Sequence, residues 1–272
     1  MKKLSRFLIE LAKDIARDDI FSVAGELTYK LILAMFPFII FVVSIIGFLD
    51  LNASYIMTEA KTALPGQVYE ILLVFVREAS AKKSPGLLSV SLLVSVLSAS
   101  SGFNAIIRAI NKSYGIRDSR PFLKKRLIGL LLTGVFVGVL LFFGAVQVFR
   151  DALARLVITF VSYEAAERIF GFTSYFVSLL VMLGAIIIIY RLSLASLTGA
   201  DKTLRFCPGA LFTVVVWTFL GKIFNLYIGN FTSYSKLYGG IGGVFALMLW
   251  LNLLSLSLLL GSEINSLLSR GG

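Results

Sequence analysis

Histidine is absent from this chain and cysteine occurs once, as Cys207. The first absence removes histidine-based zinc sites, Ser-His-Asp triads and histidine general bases. The second excludes an intramolecular disulfide and a cysteine metal cluster. Charge is also scarce, at 15% of 272 residues against 58% hydrophobic. That is far too little polar surface for a soluble globule. Acids are the scarcer sign, 15 against 26 basic side chains, for a net charge of +11. A basic excess can mark nucleic-acid binding, but in a membrane protein it marks cytoplasmic loops and anionic lipid. The first 30 residues mix six basic and five acidic side chains without an apolar core. No cleavable signal peptide is therefore expected, and the first span acts as an uncleaved insertion signal.

What the chain has instead is length without charge. Residues 31–49, 85–107, 127–149, 169–190, 206–221 and 237–262 carry no charged side chain. A helix crosses the hydrocarbon core with about 20 apolar residues, in a range of about 17–25. Five runs meet that length, and the fifth does so once Lys222 is admitted, because Ile223 to Tyr227 continue the apolar pattern. The expected fold is an all-α polytopic membrane protein, one membrane domain over 1–272. Its six transmembrane helices are expected near 27–49, 86–108, 127–149, 170–191, 207–228 and 240–264.

Basic residues orient the bundle. With the N-terminus inside, the inner segments hold 17 and the outer segments eight, and the short segment 111–126 carries much of the bias. Both termini are expected in the cytoplasm. Ahead of the first span, Leu4, Phe7, Leu8, Leu11 and Ile15 share a helical face opposite Lys3, Arg6, Lys13 and Arg17. This helix either lies interfacially on the inner leaflet or packs beneath the bundle. The outer connections carry two further amphipathic stripes: Val68, Ile71, Leu72, Phe75, Val76 and Ala79, then Leu153, Leu156, Val157, Phe160 and Val161. Pro65-Gly66 breaks the first connection, and Pro37 should kink the first span.

Polar side chains inside hydrocarbon need partners, so their positions point to the bundle interior or to a site. On the second span, Ser91, Ser95, Ser98 and Gly102 form a small-residue face suited to helix packing, within one chain or between two. A second stripe descends through Ser101, Asn104, Arg108 and Asn111, where Arg108 binds a lipid phosphate, lines a cavity or snorkels. On the fifth, Lys222, Asn225 and Gly229 align beside Trp217. Glu26 and Glu263 are the obvious intramembrane carboxylates, but topology sets both at the inner face and Lys222 on the outer half. On the last, Gly239, Gly240, Gly242 and Gly243 permit close backbone approach, and Asn252 and Glu263 return to nearly one azimuth.

These residues also form a pattern. Ala109-Ile-Asn-Lys-Ser-Tyr114 followed by Arg120-Pro121 resembles the ALNxxY…RP segment of the YihY/virulence-factor BrkB membrane family. Pro208-Gly-Ala210, Trp217, Tyr227-Ile-Gly-Asn-Phe231, Tyr234-Ser-Lys-Leu-Tyr-Gly239 and Leu249-Trp250 resemble its C-terminal signature. Gly261-Ser-Glu-Ile-Asn265 is similar to its GxExN close, and Tyr29 and Pro37 match its first span, although Leu27-Thr28-Tyr29 departs from the usual Ala-Phe-Tyr. The resemblance covers nearly the whole chain. It implies a bacterial inner-membrane protein of about six spans, linked to envelope integrity and to lipid or amphiphile movement. It also brings an old ribonuclease BN label, against which the missing histidines argue.

The functional expectation is a non-enzymatic membrane protein that binds or translocates lipid or another amphipathic anion. Its candidate contacts are Lys222, Arg108, Asn104, Asn225, Tyr227, Asn230, Tyr234 and Glu263, with Pro37, Gly229, Gly239 and Gly242 as hinges. Phospholipid is the expected partner, a homo-oligomer stays open, and no nucleic acid, metal or cofactor is expected. The rival reading is a non-transporting scaffold, and a ribonuclease comes last.

Overall fold

The structure is a computed structural model that describes residues 2–48, 73, 85–157, 163–195, 205–229 and 240–270. Among the described residues every regular element is helical. The described residues form seven long helices: α1 (Lys2–Asp18), α2 (Ile20–Phe48), α3 (Pro85–Ser113), α4 (Phe122–Val157), α5 (Tyr163–Ser193), α6 (Cys207–Gly229) and α7 (Gly240–Arg270). Four contain segments long and apolar enough to cross a membrane: Leu92–Ser113, Gly171–Ser193, Cys207–Phe224 and Val244–Arg270.

The packing order closes a ring. Helix α2 packs on α3, α3 on α4, α4 on α5, α5 on α6, α6 on α7, and α7 returns to α2. Helix α3 also reaches across to α5 and α7, and α1 lies against α7, α3 and α2 at one end. Described buried side chains from all six ring helices form one core, among them Leu27, Ile107, Leu132, Tyr190, Val214 and Leu258. Lipid tails are as apolar as leucine, so such a core gains little by hiding hydrocarbon; close packing and interhelical hydrogen bonds must hold it.

Close packing is supplied by small residues at particular crossings. A Cβ built on Gly209 of α6 would overlap the Gly261 carbonyl oxygen, and one on Gly261 of α7 would overlap Thr213 and Tyr190. On α3, the tight crossing is Ser100 against Gly129 of α4, where a Cβ would sit 2.8 Å from the hydroxyl. A Cβ built on Gly102, from the small-residue face read in the sequence, would meet Leu31 of α2 at an ordinary 3.9 Å.

The breaks between helices have local causes. Asp19 separates α1 from α2 by adopting a positive φ of 52°, a left-handed conformation that Asp tolerates better than most residues. Helix α3 ends in Gly115 at φ 65°, with the Gly115 amide donating to the Lys112 carbonyl and Ile116 to Asn111, both at 2.9 Å. That pattern is a Schellman cap, which needs a residue free to enter the left-handed region. Helix α2 runs unbroken through Pro37. Helix α4 continues to Val157, so Leu153, Leu156 and Val157 extend it rather than forming a separate outer helix. The first outer stripe, Pro65-Gly66, Phe160 and Val161 lie outside the described residues.

Of the two readings for α1, contact with the bundle is observed. Ile15 packs toward Ile20, Ala24, Ala109 and Leu259, and Asp14 and Asp18 are buried, while Leu8 and Ile9 remain exposed. The buried face of α1 is thus partly acidic, which the apolar stripe alone did not reveal.

Candidate functional site

Three polar arrangements stand out. The first is on the bundle surface where α2 meets α3. Glu26 Oε1 receives both Lys30 Nζ at 2.6 Å and Arg108 Nη2 at 2.7 Å. Lys30 sits one turn below Glu26 on α2, the spacing at which opposite charges meet on a helix. Arg108 reaches over from α3. Its side chain stays 58% exposed and that of Glu26 45%, so this cluster of net charge +1 faces outward. Asn104, one turn away on α3, is half-buried and packs over Gly129 of α4. Glu26 is the partner for Arg108 that helix spacing within α3 could not show.

The second arrangement grips the connection between α5 and α6 at both ends. The last carbonyls of a helix lack intrahelical donors. Here Asn111 Nδ2 donates to the Ser193 carbonyl at 2.7 Å, and its Oδ1 accepts from the Ala195 amide at 3.0 Å. Arg120 adds donations to the Ser193 carbonyl at 2.7 Å and the Leu192 carbonyl at 3.3 Å, a favourable place for a cation at a helix C-terminus. Asp118 holds the same guanidinium through Nε and Nη2, at 2.9 and 2.8 Å. The Arg120 side-chain hydrogen bond holds the Asp118 carboxyl below its ordinary range, with the Arg120 amide and the charges of Arg120 and Lys125 assisting against burial. At the other end, Asn265 of α7 accepts from the Gly209 amide at 2.7 Å and donates to the Phe206 carbonyl at 3.2 Å. Nearby, Tyr190 donates to the Leu258 carbonyl at 2.7 Å, and Trp217 Nε1 donates to Ser257 at 2.8 Å. These bonds tie α5, α6 and α7 together.

The third lies under α1. Ser113 and Ser262 share a 2.8 Å hydrogen bond, Ser266 donates to the Ser113 carbonyl at 2.6 Å, and Arg270 donates to the same carbonyl at 2.7 Å. Glu263, next to Ser262 on α7, is fully buried.

The residues proposed from sequence are therefore dispersed. Arg108 and Asn104 share the α2–α3–α4 surface. Lys222 is exposed on α6 between exposed Phe219 and Ile223, and Glu263 is enclosed beneath α1. Asn252 donates to Thr28 at 3.3 Å, linking α7 to α2. Asn225 and Tyr227 lie on α6 and Gly242 on α7, but their side-chain surroundings fall outside the described residues, as do Asn230, Tyr234 and Gly239 altogether. Gly229 is the last residue of α6, and Pro37 lies within α2. The surface of α4 also carries an open apolar depression of about 600 Å³ lined by Leu127, Leu130, Leu131, Gly134 and Val135.

The motif residues that make these clamps span the chain, and so does the family match: the virulence factor BrkB profile covers residues 11–271. The chain belongs to the virulence factor BrkB family. This BrkB-family chain is 30% identical over 266 residues to the ribonuclease-like protein YfkH of Bacillus subtilis (strain 168), covering 97% of this chain and 95% of the relative. It is 26% identical over 256 residues to a UPF0761 membrane protein of Tolumonas auensis, covering 91% and 80%. A UPF0761 membrane protein of Xanthomonas oryzae pv. oryzae (strain PXO99A) is 24% identical over 265 residues, and this chain spans 57% of its length. No solved structure matches. As a BrkB-family member with several long apolar helices, the protein is a membrane protein.

Proposed function

We propose that this BrkB-family protein is a six-span inner-membrane protein that binds anionic phospholipid at the inner-leaflet level and thereby supports envelope integrity. Helices α2 and α4 would join α3, α5, α6 and α7 as the spans, since α2 and α4 run 29 and 36 residues. Both termini, with α1, would face the cytoplasm as one membrane domain. The observation that carries the lipid reading is the outward-facing Arg108–Glu26–Lys30 cluster. Two cations share one carboxylate oxygen, so positive charge is left over beside exposed Tyr29 and Leu33. A phosphate would take the guanidinium with two oriented donors, while acyl chains lie along the apolar helix surface.

The test is native mass spectrometry of protein taken from vesicles containing phosphatidylglycerol and phosphatidylcholine. The wild type should retain phosphatidylglycerol preferentially, and Arg108→Ala/Lys30→Ala should lose that preference. Equal retention by both proteins removes the basis of the proposal. Translocation is a further step. It would need Lys222 and Arg108 to serve one path, and labelled lipid should then cross vesicles faster with wild type than with Lys222→Ala/Arg108→Ala.

A scaffold without transport is the second reading, favoured by how many polar side chains serve interhelical bonds: Asn111, Arg120, Tyr190, Trp217 and Asn265. It expects lipid retention with no faster crossing than in empty vesicles. The ribonuclease in the Bacillus relative's name is the least supported reading. The chain has no histidine, and intact RNA after incubation with purified protein would dispose of it.

A further inference from the structure

Glu263 is an anomaly in an otherwise well-paired region. It is 0% exposed, and neither carboxyl oxygen has a hydrogen-bond partner. The charges acting on it across the α1–α7 contact are the carboxyls of Asp18 and Asp14 and the guanidinium of Arg17. Two carboxylates hold no hydrogen between them, so proximity alone makes no bond. A bond exists only when one of them carries a proton.

The two guanidiniums nearby are committed elsewhere. Arg17 donates to both Asp18 carboxyl oxygens, at 3.1 and 2.8 Å, and pairs with Asp14 Oδ1 at 2.8 Å. Arg270 pairs with Asp14 Oδ2 at 3.0 Å and turns its other nitrogen to Ser113 and Ser266. Lys112 of α3 donates to the Asp18 backbone carbonyl at 2.7 Å. Tyr114, just beyond α3, completes the titratable surroundings, in the field of Glu263 and Arg270. A buried carboxylate facing another carboxylate without a donor is among the costliest arrangements a protein interior can hold. Protonation removes the charge and creates the missing donor in one step.

A metal ion fits less well. Every carboxyl oxygen of Asp14 and Asp18 already accepts from a guanidinium, whose positive charge would repel a second cation. Among the described residues no group of three acidic or thiol side chains is placed to hold a metal.

We infer that Glu263 and Asp18 form a proton-binding site, one proton held between the two carboxyls, that latches α1 to the end of the six-helix ring. The proton comes from water on the α1 side and returns to it. Its departure leaves a buried, unpaired carboxylate facing Asp18, and the strain is relieved when α1 lifts and water enters. Binding at Arg108 is not needed for this, so the inference stands apart from the lipid reading.

The experiment uses the full chain in lipid nanodiscs. Infrared difference spectra between acid and alkaline pH should show a protonated-carboxyl carbonyl band that Glu263→Gln removes and that Glu10→Gln, at an exposed residue, leaves in place. In parallel, spin labels at Ala16→Cys and Leu268→Cys, in a Cys207→Ser chain, report the α1–α7 distance. That distance should lengthen at alkaline pH in the parent and stay short at every pH once Glu263→Gln is added. If Glu263→Gln does not fold, Asp18→Asn replaces it: its amide supplies the donor, so both the band and the pH-driven lengthening should be lost. The inference is overturned by a band insensitive to both substitutions or by a distance independent of pH. It is also overturned if sodium ions, rather than acid, restore the short distance.

Discussion

Asn265 of α7 holds the first turn of α6, accepting from the Gly209 amide at 2.7 Å and donating to the Phe206 carbonyl at 3.2 Å. The first amides of a helix have no intrahelical acceptor, and here a neighbouring helix provides one. Asn265→Ala should therefore strand a buried donor and cost about 1–3 kcal/mol. Asn265→Asp, which keeps the acceptor, should cost less. Detergent-titrated unfolding of the three proteins in mixed micelles checks this, and equal losses for Ala and Asp would speak against the amide bond.

The same crossing tests packing. Gly209→Ala and Gly261→Ala each place a Cβ into backbone of the opposing helix. Overpacking of this kind costs about 1–3 kcal/mol, occasionally more. Gly221→Ala, with nothing within 4 Å of the added carbon, is the control and should be near neutral. If all three unfold alike, α6 and α7 do not approach as described.

Hydrogen bonding between α5 and α7 should matter less than that packing. Tyr190→Phe removes the 2.7 Å bond to the Leu258 carbonyl and the 3.0 Å bond to Thr213. Interhelical side-chain bonds in membranes average only about 0.6 kcal/mol, so the loss should be smaller than at Gly261. A larger effect for Tyr190→Phe would reverse this ranking.

Acid should open the turn between α3 and α4. Because Arg120 depresses the Asp118 carboxyl, their pairing stabilises the fold fully above the ordinary aspartate value of about 3.9. It is lost as pH falls through the lower folded-state value. Protease cleavage near residues 114–121 should stay flat from neutral pH down to about pH 5 and rise below about pH 4. Asp118→Asn should be cleaved more readily at neutral pH and show no such acid rise. An unchanged acid limb in that variant would exclude Asp118 as its source.

The helices themselves were legible in the sequence, because an uncharged run of membrane length is a property of consecutive residues. The family was legible too, from motifs such as Ala109 to Tyr114 and Gly261 to Asn265. The roles of those motif residues were not. Asn111 read as the foot of a polar stripe and Asn265 only as the close of a motif, yet Asn111 caps the end of α5 and Asn265 the start of α6. Their partners lie 82 and 56 residues away in sequence, beyond any helical period. Arg108 likewise read as a lone cation, since Glu26 lies 82 residues away on another helix.

By itself the sequence determined location, helix content and family, because hydrophobic length and motif order are properties of consecutive residues. Only the tertiary structure decided which polar groups are already satisfied. Hydrogen bonds between helices depend on where distant segments meet, and lipid, as apolar as the side chains it touches, leaves no mark in local sequence to say so. That is why Asn265 resolved into a clamp, while Glu263, two residues earlier on the same helix, was left facing Asp18 without a donor.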